Sequence, residues 1–234
     1  MAESSCYSRD RNERGCVSKV PIFNHLADSQ MDEIMQVVRN RQFKKSEIIF
    51  QAEDQADALY IVHRGQVNIY HLTASGKEQL IRVLYPGDFI GELALFRDSE
   101  HESFAEAVVD SNICMIHRND LQNFLIKYPT ISLEILHEFS NRLSLSEKQV
   151  TEFATEKVEI RIAQFLVEQM QMNTDNLNQG WLDLPMSKKD LASYLGTTPE
   201  TLSRRLTEFE EAAYIQQTGQ RRIAILDADG LLRI

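Results

Sequence analysis

The sequence predicts an α+β protein in three parts: an N-terminal antiparallel β-roll, a long helix and a C-terminal winged helix-turn-helix. Three observations carry the prediction. Short stretches rich in Ile, Val, Leu and Tyr, broken by glycines, fill residues 20–110, and many short strands at regular spacing build a roll or barrel. A narrow apolar stripe then runs along residues 131–154. Finally, residues 186–206 contain two short helical patterns joined at Gly196, with a hairpin pattern behind them.

Residues 1–19 form a polar, charged arm that carries Cys6 and Cys16. Residues 20–130 are the roll domain. It opens on a short helix over 28–38, where Met31, Ile34, Met35 and Val38 recur at helical spacing. Strands are expected at 47–50, 58–62, 66–70, 79–84 and 113–116, punctuated by Gly65, Gly76, Gly87 and Gly91. Leu136, Phe139, Leu143, Ser146, Val150 and Phe153 then alternate steps of three and four, the seam of a two-stranded coiled coil with polar Ser146 at its centre. Residues 131–155 are therefore read as a dimerisation helix, the alternative being a helix lying on its own domain. A further helix covers 156–172, with Ile160, Ala163, Val167 and Met170 inward, and the domain boundary falls near 154–157. The polar loop NTDNLNQG, 173–180, leads into Trp181.

Residues 156–234 make the DNA-binding domain. Ser187 followed by Asp190 is a capping box for the first short helix, with Leu191, Ala192 and Leu195 apolar. Gly196 supplies the turn, and Thr198 caps a second helix that starts at Pro199. On that helix Glu200, Ser203, Arg204 and Thr207 share one face, opposite Leu202, Leu206 and Phe209. Arg204 can pair in bidentate fashion with a guanine, Glu200 can accept from a cytosine amino group, and Ser203 can reach a base or a phosphate. Ser187, Lys188, Thr198, Arg205 and Arg221 are placed for the DNA backbone, which positions a helix without reading sequence. The wing is a hairpin over 213–225 that turns at Thr218 and Gly219.

The formal charge of −10 opposes DNA binding, but residues 187–206 hold four basic groups against two acidic ones. Local charge decides, because screening acts beyond about 10 Å. No apolar run approaches the roughly 20 residues that span a membrane. The N-terminus lacks a signal peptide's apolar core, so a cytoplasmic protein without membrane contact is expected. The histidines His25, His63, His71, His101, His117 and His137 are scattered, without metal-ligand spacing or a nucleophile motif. Catalysis is not expected. A rival reading is a module whose helices and wing bind protein in place of DNA.

Three segments, PGDFIGELALF (86–96), HESFAEAVVDSNICMI (101–116) and YLGTTPETLSR (194–204), resemble the Crp/Fnr family of bacterial transcription regulators, and the likeness covers nearly the whole chain. The resemblance implies a cyclic-nucleotide-binding-like roll, a homodimer on two-fold symmetric double-stranded DNA, and RNA polymerase as a further partner. It also implies that Glu200, Ser203 and Arg204 read a TTGA-type half-site. Departures refine this. Where the cyclic-AMP branch places an Arg-Ser pair on the nucleotide phosphate, this chain has Glu102 and Ser103, and a carboxylate repels a phosphate. Cyclic AMP is therefore not expected, and Gly91 and Glu92 are left as a tight turn and a surface or ribose-like acceptor. The Fnr branch holds a four-iron cluster on four cysteines, whereas this chain has three, Cys6, Cys16 and Cys114. Open readings are a disulfide switch between Cys114 and an arm cysteine, an iron–sulfur cluster or metal ion with a fourth ligand such as His25, and no switch, with Cys114 a core residue or a small ligand in the roll as effector.

Overall fold

The computed structural model describes residues 16–74, 76–96, 98–171 and 178–234. Cys6 and the rest of the arm to residue 15 lie outside the described residues, as does most of the 173–180 loop.

A 3-10 turn, Cys16–Lys19, precedes helix α1 (Asp28–Val37), which buries Met31 and Ile34. Eight strands follow: β1 (Arg39–Phe43), β2 (Ile48–Phe50), β3 (Ala58–Arg64), β4 (Val67–Leu72), β5 (Glu78–Leu84), β6 (Phe89–Ile90), β7 (Phe104–Ala107) and β8 (Ser111–His117). They form two four-stranded sheets, ordered β1-β8-β3-β6 and β2-β7-β4-β5. Within the first sheet β3 is buried on both faces, which explains its unbroken apolar run. Ala58, Tyr60 and Val62 point into the roll with Phe43, Phe50, Val67, Leu84 and Ile113. Leu59 and Ile61 point the other way and join Cys114 and Ile116 in a second core. The alternation follows the two-residue period of a strand. Helix α2 (Arg118–Lys127) and the first turns of α3 (Pro129–Thr155) cover that second core with Leu121, Ile131 and Ile135.

Helix α3 is one continuous helix, yet the chain divides into two compact units inside it, between Leu143 and Ser144. After a break, α4 (Val158–Gln171) buries one face rich in Ile, Leu, Val and Phe. Then come β9 (Gly180–Asp183), α5 (Lys188–Tyr194), α6 (Pro199–Glu211), β10 (Ile215–Thr218), β11 (Arg222–Ile225) and α7 (Ala228–Leu231). Strands β10 and β11 form the expected hairpin, and β9 adds a third strand against β11, pairing Trp181 with Ala224.

Gly91 shows why the 86–96 segment is written as it is. Its φ is +93°, and an added Cβ would lie 2.3 Å from the Ala58 carbonyl oxygen. Both the dihedral and the approach of β3 demand glycine. Gly91→Ala should therefore lower stability by roughly 3 kcal/mol or more, measured as a urea midpoint. Gly76, at φ +75° with no atom within 4 Å of its virtual Cβ, should cost about 1 kcal/mol on the same change. Equal losses at the two positions would show that β3 yields.

Candidate nucleic-acid interface

Helix α5 begins where its cap dictates. Ser187 Oγ accepts from the Asp190 backbone N–H at 3.1 Å and donates to the Asp190 carboxylate at 2.7 Å. Gly196 turns the chain at φ +66°. Thr198 Oγ1 then accepts from the Thr201 N–H at 3.2 Å, and Pro199 opens α6. Leu202, Leu206 and Phe209 are buried, while Glu200, Ser203, Arg204 and Thr207 are exposed. Among the described residues the Arg204 side chain makes no hydrogen bond or ion pair. The helix thus presents a hydroxyl, a carboxylate and an unclaimed guanidinium on its outer face.

The five residues read as backbone contacts are placed differently from one another. Ser187 and Thr198 are spent on caps. Lys188 Nζ donates to Gln217 Oε1 at 2.7 Å, and Gln217 in turn donates its backbone N–H and its amide to the Glu210 carboxylate, at 2.7 and 2.9 Å. Those bonds, the backbone one first, hold Glu210 below the usual carboxylate range. Arg205 donates to Glu208 at 2.6 Å and lies 3.7 Å from Glu159 on α4. Arg221 is exposed at the wing, with its carbonyl accepting from the Leu184 N–H at 2.7 Å. A residue the sequence did not single out for DNA, Arg222, stacks over Trp181 at 5.1 Å. Trp181 is half exposed, and the signal for it was a tryptophan opening a short strand after a polar loop.

The seam residues occupy one side of α3. Leu136, Leu143 and Val150 are each more than half exposed, and Ser146 is exposed between them. Phe139 is partly buried and meets Phe96 edge-on at 5.9 Å. Phe153 has its ring under the Arg161 guanidinium at 5.0 Å and beside Gly196. A stripe of large apolar side chains along a long helix is a surface for a partner helix.

An open pocket of about 550 Å³ lies on the roll, lined by residues that include Ala52, Glu53, Ser99, His101 and Glu102, but the interior between the sheets is closely filled. Its cavity, between Phe50, Tyr60, Val67, Leu84 and Ile113, measures about 10 Å³, room for at most about one water. Phe50 stacks on His101 at 3.8 Å, and burial pushes the His101 imidazole below its usual range. Glu92 corrects the expectation of a surface acceptor, while its buried Oε2 has no hydrogen-bond partner among the described residues. It is buried and ion-paired with Arg142 of α3, which also binds Glu138 at 2.7 Å and the Phe89 carbonyl at 3.1 Å. A buried carboxylate takes a cation of its own chain because desolvation without one is costly.

Cys114 is fully buried on β8 and disulfide-bonded. Cys16 begins the first 3-10 turn, and Cys6 lies outside the described residues. His25, the candidate fourth ligand, shares a hydrogen bond with Thr130 at 2.9 Å. No cluster of three potential metal ligands occurs among the described residues. Three cysteines, with Cys114 engaged in this way, do not fit a four-thiolate iron–sulfur site.

Comparisons with known proteins agree on both halves. The family model for the Cyclic nucleotide-binding domain matches residues 40–128, and that for the Crp-like helix-turn-helix domain matches residues 160–234. The chain is 32% identical over 216 residues to the Probable transcriptional regulator flp of Lacticaseibacillus casei, spanning 92% of this chain and 96% of that protein. It is 27% identical to the Anaerobic regulatory protein of Haemophilus influenzae, over 93% and 85% of the two chains. The solved structure of FixK2 from Bradyrhizobium japonicum aligns with a TM-score of 0.71 at 25% identity, covering 84% of this chain and 96% of that one.

If the α3 stripe joins two copies, Leu143→Asp sets two charges against each other across the seam. Light scattering should then give the mass of one chain where the parent protein gives two. A dimer that survives the change would remove α3 as the interface.

Proposed function

The chain belongs to the Crp/Fnr family of transcription regulators, and from that premise we propose that it is a redox-responsive homodimer whose α6 helices read TTGA-type half-sites. Regulators of this family bind DNA as dimers. The observation that carries the finer reading is Arg204, exposed and unclaimed on a doubly capped helix. Its fork matches guanine O6 and N7, and Glu200, one turn earlier, can accept from a cytosine amino group. Two such helices need half-sites about 34 Å apart. Arg221 on the wing supplies a phosphate contact, and RNA polymerase is the further partner. No helix among the described residues is long and apolar enough to cross a membrane, and we place the protein in the cytoplasm.

The proposed signal is the thiol state of Cys114. Two thiols, that of Cys114 and one from Cys6 or Cys16, pass two electrons and two protons to a low-molecular-weight disulfide, which leaves as two thiols, and so form one S–S bond; a cellular dithiol reverses it. Support comes from the disulfide at Cys114. The switch acts as a population shift: one redox form favours the dimer geometry in which both α6 helices meet their half-sites.

Fluorescence anisotropy on a duplex with paired TTGA half-sites tests both parts. Arg204→Ala should cost about 1–3 kcal/mol and relax choice at the guanine; unchanged affinity would favour the protein-binding rival. Separately, oxidised and reduced protein should differ in affinity, and Cys114→Ser should erase that difference. Equal binding by the two forms would end the redox proposal and leave the Arg204 result standing.

A further inference from the structure

Arg204 and Arg205 look interchangeable in sequence, but the fold gives them opposite employments. Adjacent helical residues point about 100° apart. That rotation carries Arg205 away from the exposed face, and 30% of its side chain is accessible. One terminal nitrogen donates to Glu208 at 2.6 Å and the other lies 3.7 Å from Glu159. Its Nε is buried without an acceptor. The planar fork that would grip a phosphate is therefore occupied. Two carboxylates around one guanidinium also leave a net negative charge where a phosphate would have to sit.

The two carboxylates differ in what they do. Glu208 lies one turn along α6, so that pair orients the side chain within its own helix. Glu159 lies in the first turn of α4, where the helix dipole favours a negative charge. This second pair crosses from one helix to another. Elsewhere on α6, Glu210 holds Gln217 of the wing, and Gln217 holds Lys188 of α5. The recognition helix is thus tied to the wing and α5 through one residue and to α4 through another.

We infer that Arg205 is a positioning residue for DNA reading: through Glu159 it fixes the setting of α6 against α4, and it does not contact phosphate. A bidentate base contact tolerates about half an ångström and 10–20° of error. A small change in the setting of α6 therefore displaces the Arg204 fork. The inference rests on α6 being the base-reading helix.

The test uses the full-length protein in one redox state, with two duplexes, one carrying paired TTGA half-sites and one scrambled. Arg205→Gln and Glu159→Gln should each weaken binding to the paired-site duplex by about tenfold, and the double variant should be no weaker than either. Affinity for the scrambled duplex, and the slope of log affinity against log salt, should stay unchanged. A charge swap, Arg205→Glu with Glu159→Arg, should recover part of the loss. The inference is overturned if Arg205→Gln weakens both duplexes alike and flattens the salt slope by about one, with Glu159→Gln harmless; that is the behaviour of a phosphate contact. It is also overturned if neither variant changes binding while Arg204→Ala does. If Arg204→Ala is silent as well, the base-reading role of α6 falls, and that outcome is distinct from the other two. Thermal unfolding monitors each variant. Should Arg205→Gln fail to fold, Glu159→Gln removes the same tie from its other end.

Discussion

An arginine can grip a nucleobase only while no carboxylate of its own chain grips it first. With 35 acidic residues against 25 basic ones, that competition shapes the whole molecule. Arg118 is claimed by Asp98 and the Ala56 carbonyl, Arg142 by Glu92 and Glu138, and Arg205 by Glu208 and Glu159. Each of these pairs stitches one element to another or sets a side chain along its own helix. Arg204 escapes because its row on α6 is exposed, and because Arg205 beside it points to the carboxylates of α4 and the next turn. The free arginine is therefore a product of where the bound ones are.

The same logic explains how the turn at residues 86–96 is held by the chain's own groups. Gly91 is fixed by the Ala58 carbonyl, and Glu92 by Arg142, so packing and charge pairing are enough to maintain the turn. Phe50, Tyr60 and His101 pack ring against ring on the inner side of the roll. In the proposed reading the signal enters at Cys114. Cys114 sits in the core cluster that also contains Ile116, Leu121, Ile131 and Ile135. The last two belong to α3. Close-packed interiors transmit displacement, so a change at the Cys114 sulfur acts on the same packed group as the dimer helix.

What the sequence made legible, and what it hid, divides by range. The caps at Ser187 and Thr198, the φ of Gly196 and the two faces of α6 are settled by neighbours within a turn or two, so pattern alone located them. The α3 stripe was equally plain. Strand β1 was missed because its residues, RNRQF, are polar apart from Phe43; its place comes from pairing with β8, Arg39 opposite Met115 and Phe43 opposite Ser111. Helix α2 was missed because it follows β8 directly, and His117 at its cap makes no side-chain bond. Strand β9 was hidden behind the polar loop and declares itself only against β11. The employment of Lys188 and Arg205 was invisible for a related reason. Gln217 and Glu159 lie on other elements, so charge alone could not show the bonds these side chains make within the chain.

These assignments alter the balance between affinity and specificity. Phosphate contacts supply binding that ignores sequence and falls steeply with salt. On the inference that Arg205 makes no phosphate contact, and with 35 acidic residues against 25 basic ones, the sequence-blind attraction is weakened. Recognition then leans on Arg204, Glu200 and the setting of α6, all of which count only when the bases match. A strongly basic regulator can tolerate a poorly set recognition helix, because phosphates hold it in place regardless. On that inference this chain has less of such a reserve, so the ties that set α6, through Glu159 on one side and Gln217 on the other, weigh more heavily.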